Sequence, residues 1–482
     1  MTLQSTSIFR DKCLLNGEWC GGESPMPVYN PATGDVIAHV PSLGADETNQ
    51  AIDDAALAFS SWKQTSPMER ARLLRKWYQL ILDEKSSLAY IMSCEQGKPL
   101  AEASAEIAYA ASYVLWFAEE AMRVQGEVLS SANPKQRLIV TRSPVGVCAA
   151  ITPWNFPAAM ITRKVAPALA SGCTMLVKPA QQTPLTALAL GELANQAGFP
   201  AGVLQIITGD AKAIGGAMTS NPVVRKLSFT GSTAIGSLLM SQCAADVKKL
   251  SLELGGNAPF IVFDKSDVSL AVEELMKAKF RNAGQTCISP NRVYVQKKVK
   301  DTFTKALIAA VAELKLGDGL DPDTTVGPLI DYAAVQKVQK HIENARSLGA
   351  SVLCGGKRPH TDGNWFEPTV LDNVPANAQC IEEETFGPVV PLVTFDTEQD
   401  VITLANNTPF GLAAYLFSDD IHQVERVVNE IESGMVGINT GVISAANAPF
   451  GGVKASGLGR EGAHTGIEEY LEMKYQCYGL KA

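Results

Sequence analysis

The chain has 482 residues, 46% of them hydrophobic and 19% charged, which fits a globular protein too long for one ordinary core and therefore built of two or three domains. Its formal net charge of −9 at pH 7 argues against a nucleic-acid partner, whose phosphates need basic faces. No apolar run reaches the roughly 18 to 20 residues that span a bilayer, and the N-terminus lacks the apolar core of a signal peptide, so neither a membrane partner nor a location outside the cytoplasm is expected.

In chain order, Pro31 and Gly34 mark a turn, after which Ile52, Ala55, Ala56 and Phe59 recur at helical spacing. Ser66 then caps a second helix. Pro67 takes its first position, Glu69 completes a capping box, and Leu73, Leu74, Trp77, Leu80 and Ile81 form one apolar face. A third helical stretch runs from about Ala101 to Arg123. From Val145 the rhythm changes. VCAAIT (147–152), TMLVK (174–178), VLQIIT (203–208), KLSFT (226–230) and KLSLEL (249–254) read as strands with helices between them; one helix opens at Thr183-Pro184 and ends near Gly198. Such alternation predicts an α/β fold with a parallel sheet, whose ligands sit at the carboxyl ends of the strands. A second α/β region begins near APFIVF (258–263), with helices around 267–279 and 299–314 and a strand at RVYVQ (292–296); ELGGN (253–257) reads as a hinge between the two. The terminal EEYLEMKYQCYGL reads as a strand able to pair with another element or another subunit.

The ten cysteines contain no C-x-x-C and the five histidines no H-E-x-x-H, so a disulfide framework or a zinc site is not expected. GLGREG (457–462) matches a dinucleotide fingerprint but follows no clear strand and leaves no room for a βαβ unit, so it reads as a flexible glycine turn. Better cofactor candidates end strands. Lys178 could reach a ribose hydroxyl or phosphate, or be an ordinary solvated lysine. Gly231 and Ser232 open a helix whose exposed amides would suit a pyrophosphate, or simply cap it. ITPWNFP (151–157) holds Asn155 in a loop stiffened by two prolines, where its amide could donate to an oxyanion or merely form a turn. Glu253 ends an apolar strand, as a general base with a burial-raised pKa or as a rim carboxylate. In RNAGQTCISPNR (281–292) the polar neighbours of Cys287 argue for a nucleophile over an inert buried thiol; a reactive thiol also needs partial access and a lowered pKa.

Taken in order, ITPWNFP, KPAQQTP, FTGST, LELGGN, GQTC, EEETFGP and PFGGVKASGLGRE span nearly the whole chain, and with them the sequence resembles the NAD(P)-dependent aldehyde dehydrogenases. The resemblance implies a Rossmann-like cofactor domain without the glycine fingerprint (1–122 and 146–255), an α/β catalytic domain (256–450) and a small β oligomerisation arm (123–145 and 451–482), in a homodimer or homotetramer. It implies Cys287 as the nucleophile on the aldehyde carbon, Asn155 with the Cys287 amide as oxyanion donors, and Glu253 as the base that activates water. It implies cofactor contacts from Thr152, Pro153 and Trp154, from Lys178, Pro179, Ala180 and Gln181, from Gly231, Ser232 and Leu254, and from Glu384 and Phe386. Without those cofactor segments, a thiol acyltransferase or hydrolase built on Cys287 would be the rival reading, and a protein that has lost catalysis a third.

Within the family the chain is most similar to succinate-semialdehyde dehydrogenases, from EQGKPLAEA to GINTGVISAANAPFGGVKASGLGREG. That likeness implies Arg163, Arg281 and Ser444 as binding positions for a substrate carboxylate, which suits the bidentate chemistry of arginine. Glutarate semialdehyde, one methylene longer, is the alternative substrate. The chain departs from relatives at two positions. Ser289 stands where many carry a second cysteine, so a disulfide to Cys287 cannot form there. Gln181 stands where members that prefer NAD often carry a glutamate, so NADP is expected to be accepted and favoured over NAD.

Overall fold

The computed structural model describes residues 3–360 and 362–481. Two α/β sheets dominate it. Five parallel strands form the centre of the first: Val147–Ile151, Thr174–Lys178, Leu204–Ile206, Val224–Thr230 and Lys249–Glu253. Numbered along the chain they lie in the order 3-2-1-4-5, with an antiparallel hairpin (Cys13–Leu15, Glu18–Cys20) at one edge and Gly457–Leu458 at the other. This is the doubly wound order, and it reverses between Val147–Ile151 and Val224–Thr230. The register sets Ile151 opposite both Lys178 and Phe229, and Thr230 opposite Glu253. One row of strand ends therefore presents the residues that sequence reasoning singled out.

The strands are Val-, Leu- and Ala-rich because helices cover both faces, as parallel sheets require. Helix Pro67–Asp83 packs on this core through Leu73, Leu74, Trp77 and Ile81. Ser66 caps it by accepting from the Glu69 amide, but the expected capping box is not closed: the Glu69 carboxylate turns outward to Arg72 instead. The third helix ends at Glu120, followed by a 3-10 turn to Arg123. Helix Ala159–Ser171 is buried along its whole length, including the charged Arg163 and Lys164. So polar a helix in so apolar a place demands partners for its cations.

The second sheet runs in the order Ser351–Cys354, Thr369–Asp372, Val389–Phe395, Pro290–Gln296, Ala258–Val262, Ala413–Phe417, Met435–Ile438, parallel except for its first strand. Residues 254–257 carry the chain from one sheet to the other. A Cβ on Gly256 would lie 2.5 Å from the Cys287 carbonyl oxygen, so only glycine lets this crossing pass so close to the thiol's backbone.

A third, three-stranded sheet joins Glu127–Leu129, Gln136–Pro144 and Leu471–Gly479, the last pairing from Leu471↔Pro144 to Gly479↔Gln136. The terminal strand thus finds its partner within the chain. The segment 451–482, expected whole in the arm, divides: Val453–Lys454 pairs with Phe410–Gly411 and Gly457–Leu458 with Glu253–Leu252, so only the portion from Leu471 joins the arm sheet.

Candidate active site

Cys287 sits in the loop between helix Val268–Phe280 and strand Pro290–Gln296. Three consecutive residues there, Asn282, Ala283 and Gly284, take left-handed backbone angles (φ 53°, 54° and 76°). For Gly284 the requirement is absolute, since a Cβ would meet the Gly387 carbonyl oxygen at 2.3 Å. Amide side chains hold the strained turn. Gln285 donates to the Asn282 carbonyl (3.0 Å) and accepts from the Ile330 amide (2.9 Å); Asn282 donates to the Asn155 carbonyl (2.9 Å). Asn155, after strand Val147–Ile151, is buried; its Nδ2 donates to the Gln285 carbonyl at 3.0 Å, two residues before the thiol, and its Oδ1 has no partner. The second hydrogen on Nδ2 is free to face an oxygen formed at Cys287.

The thiol lines a cleft of about 290 Å³ with Pro153, Trp154, Asn155, Thr230, Gly231, Ser232, Leu254, Glu384 and Phe386. Trp154 and Phe386 meet edge to face, centroids 5.5 Å apart. Ser232 caps helix Thr233–Cys243, whose free amides open towards the cleft. Glu384 accepts from the Gly256 amide (3.3 Å), and its carboxyl is pushed up to about 7 by burial. Thr152 and Thr230, at neighbouring strand ends, keep buried hydroxyls without partners.

Cys287 is half-buried, which gives the partial access a reactive thiol needs; such a thiol also needs a lowered pKa. The structure shows the opposite: burial pushes the thiol up to about 12, against the pull of Arg163 and Arg281 and with the push of Glu384 and Glu253. Attack therefore needs a base. Glu253 is buried, both its oxygens lack hydrogen-bond partners, and burial with the nearby Glu461 charge raises its carboxyl well above the ordinary range. Glu461 accepts from both Arg163 Nε and Lys164 Nζ. Arg163 also lies 4.1 Å from the Phe450 ring centroid, and its Nη2 is buried without a partner.

Several expected residues stand outside the Cys287 cleft. Lys178, nearly buried at its strand end, donates to the Pro179 carbonyl (3.1 Å), and burial lowers it to about 8. Pro179 and Ala180 follow it, and Gln181, which donates to the Gly209 carbonyl (3.2 Å), lines an adjacent cavity of about 440 Å³ that shares Ile330 and Asp331 with the cleft. Arg281 lines a third cavity, of about 400 Å³, with Ile288, Tyr415 and Val442, its guanidinium 5.1 Å from the Phe156 centroid. Ser444 is half-buried in the loop that follows Met435–Ile438. Sequence reasoning missed Glu461 and Lys164. GLGREG is no loose turn: its first two residues pair with the Glu253 strand and its glutamate anchors the cluster. The signal was a lone carboxylate among glycines, which a fingerprint search reads past.

The residues fit a nicotinamide dinucleotide: an orphaned Thr230 hydroxyl and a helix N-terminus line one side of the thiol's cleft, and beside them neighbouring strand ends carry the orphaned Thr152 hydroxyl and the buried Lys178 ammonium. A model of the family described as "Aldehyde dehydrogenase family" matches residues 19–476. The chain is 57% identical to the succinate-semialdehyde dehydrogenase [NADP(+)] of Escherichia coli (strain K12), with 100% of both chains covered. It is also 57% identical to the glutarate-semialdehyde dehydrogenase of Pseudomonas putida, again over 100% of both. Among solved structures, an aldehyde dehydrogenase from Brucella melitensis biovar abortus 2308 superposes with a TM-score of 0.99 at 55% identity, covering 100% of each chain.

Proposed function

The chain belongs to the aldehyde dehydrogenase family, and from that premise we propose that it oxidises succinate semialdehyde to succinate with NADP or NAD, using Cys287, Asn155 and Glu253. The observation that carries the substrate reading is the buried Arg163 Nη2, a cationic donor without a partner; Arg281 adds a second guanidinium in a cavity lined by Ile288, the residue after the nucleophile. A short aldehyde with a distal carboxylate satisfies that donor and places its carbonyl towards the thiol.

When bound, NADP or NAD supplies the acceptor of two electrons as hydride. The chain's residues do the rest. Glu253 takes the thiol proton, directly or through water, since the free thiol is protonated at neutral pH. Cys287 Sγ adds to the aldehyde carbon, and the resulting oxyanion receives the second Asn155 N–H; losing one such donor costs about 10²–10³ in rate. Loss of hydride from that thiohemiacetal leaves a thioester on Cys287. Glu253, once it has passed the thiol proton to solvent, deprotonates water, which attacks the thioester carbon; the adduct expels the Cys287 thiolate, which takes the proton back from Glu253 as the acid departs. Trp154 and Phe386, in edge contact, would flank the nicotinamide, and Glu384 would hold its ribose. Lys178 and Gln181 would meet the adenosine ribose, where a neutral amide tolerates the 2′-phosphate that a carboxylate repels; hence NADP is the favoured form.

Glutarate semialdehyde is the second reading, supported by the equal identity to the Pseudomonas putida relative; one methylene separates the two by only about 1–3 kcal/mol. The exposed apolar side chains on both faces of this three-stranded sheet (Met473 and Tyr475 on one, Val128 and Tyr478 on the other) and its open edge strands support a homodimer or homotetramer. A nucleophilic thiol that must stay reduced supports a cytoplasmic site of action. The deciding experiment is kcat/KM for succinate semialdehyde, glutarate semialdehyde and butanal, each with NADP and NAD. Strong preference for the semialdehydes supports the arginine pocket, and their ratio sets the substrate; equal use of butanal removes the carboxylate assignment.

A further inference from the structure

The segment 95–106 touches the reaction at no atom, yet its polar side chains converge behind the nucleophile. Lys98 Nζ, almost wholly buried, donates to Glu106 Oε2 and to the main-chain carbonyl of Asn155 (2.8 Å), and stands 4.2 Å from the Phe156 ring centroid. Gln96 Nε2 donates to Asn282 Oδ1 (2.9 Å), which turns the Asn282 amide so that its Nδ2 reaches the same Asn155 carbonyl (2.9 Å). Glu106 Oε1 accepts from the amides of Ala158 and Ala159 (2.9 and 3.2 Å), where the helix bearing Arg163 and Lys164 begins. Glu102 accepts from the Asn282 amide (2.7 Å). One carbonyl thus receives both an ammonium and an amide, and both donors are held from the same segment.

A buried ion pair is a costly way to satisfy a carbonyl. Here it does more, because Lys98 and Glu106 join the residue before Phe156 to the first turn of helix Ala159–Ser171 at a single point. The Asn155 backbone cannot rotate without breaking the Lys98 or the Asn282 bond. Its side-chain nitrogen is then fixed against the Gln285 carbonyl, with one hydrogen left for the oxygen at Cys287. We propose that Lys98, held by Glu106, is a positioning residue of the reaction: it acts through the Asn155 backbone to aim the side-chain donor at the oxyanion, and Gln96 does the same through Asn282. This rests on Asn155 being the oxyanion donor.

The test is a thermodynamic cycle on the full-length enzyme. The double variant Lys98→Met/Glu106→Gln removes both charges so that neither is left buried alone, and Gln96→Met leaves the ion pair untouched. Each is made alone and in an Asn155→Ala background. The readouts are the pre-steady-state burst of reduced cofactor, KM for the aldehyde and cofactor affinity. Misplacing a reacting group costs up to about 10² in rate, so a fall in burst rate of roughly tenfold or more is expected for the double variant, and a smaller one for Gln96→Met. KM and cofactor affinity should stay within about twofold. In the Asn155→Ala background neither change should lower the burst further. A full additional loss there, or an unchanged burst in the parent background, overturns the positioning role while leaving the oxyanion reading intact. An Asn155→Ala variant with parental burst rate overturns the oxyanion reading and the positioning role with it. Should the double variant fail to fold, Gln96→Met decides the matter by the same criteria.

Discussion

The amides that anchor the Cys287 loop and the carboxylate of Glu253 are bonded in opposite ways. On the Cys287 side, Asn282 and Gln285 each use both the oxygen and the nitrogen of their amides, and a lysine, three glutamates or glutamines and a strained three-residue turn lock the loop. On the Glu253 side, both carboxylate oxygens and Arg163 Nη2 are buried without partners, although Glu461 sits beside them. Buried polar groups are rarely left unsatisfied. The contrast teaches that this protein saturates the groups that set position and leaves open the groups that water and substrate must meet.

Substitutions can break that division. The largest effect belongs to Cys287→Ala: aldehyde oxidation should fall at least ~10³-fold, because no other group supplies a leaving nucleophile. Cofactor formation followed over time checks it, and substantial residual turnover would place the nucleophile elsewhere. Glu253→Gln should cost about 10²–10⁴ in kcat, the usual weight of a general base. Its pH dependence follows from the raised carboxyl. The active form is the carboxylate, so parental kcat should climb with pH through a range above that of ordinary glutamates, and the climb should vanish in the variant. A climb that survives the substitution would assign the base to another group.

Arg163→Ala sharpens the division from the substrate side. A charge-assisted hydrogen bond is worth about 1.5–3 kcal/mol, so kcat/KM for succinate semialdehyde should fall roughly 10–100-fold while butanal is nearly unaffected; Lys164 still holds Glu461. Equal losses on both aldehydes would mean that Arg163 serves Glu461 alone. Gln181→Glu should move the NADP-to-NAD preference by about tenfold towards NAD, a like-charge penalty; better NADP use by the variant would sink the argument. Smallest is the pH dependence of cofactor binding. Burial lowers Lys178 to about 8, so its ammonium is present below that pH and lost above it. NADP affinity should therefore weaken several-fold as pH rises past 8, and Lys178→Met should be weaker throughout and flat with pH.

Much of this was legible in the chain. The strands Val147–Ile151, Thr174–Lys178 and Lys249–Glu253 are short apolar runs closed by polar residues, and that pattern needs only local information. Cys287, Glu253 and Asn155 stood out because each is a chemically capable residue beside a turn. What local pattern could not supply was their surroundings. Ser66 and Glu69 have the spacing of a capping box, but Arg72 one turn on attracts the carboxylate away. The polar neighbours of Cys287 argued for a nucleophile but said nothing of its pKa, which burial, a property of the packed loop, raises. The family likeness offered Arg163 as a carboxylate-binding position; the fold gives it Glu461 first.

By itself the sequence determined the elements, their α/β alternation and the residues able to do chemistry, because side-chain period and turn chemistry act over a few residues. Only the tertiary structure decided which of those residues share a cleft and in what protonation state. Arg163 and Glu461 are 298 positions apart, and Asn155 and Gln285 130. Contacts of that span carry no local signature: they exist only once strand order and register have brought distant turns to one row of strand ends, and the low dielectric there resets every pKa.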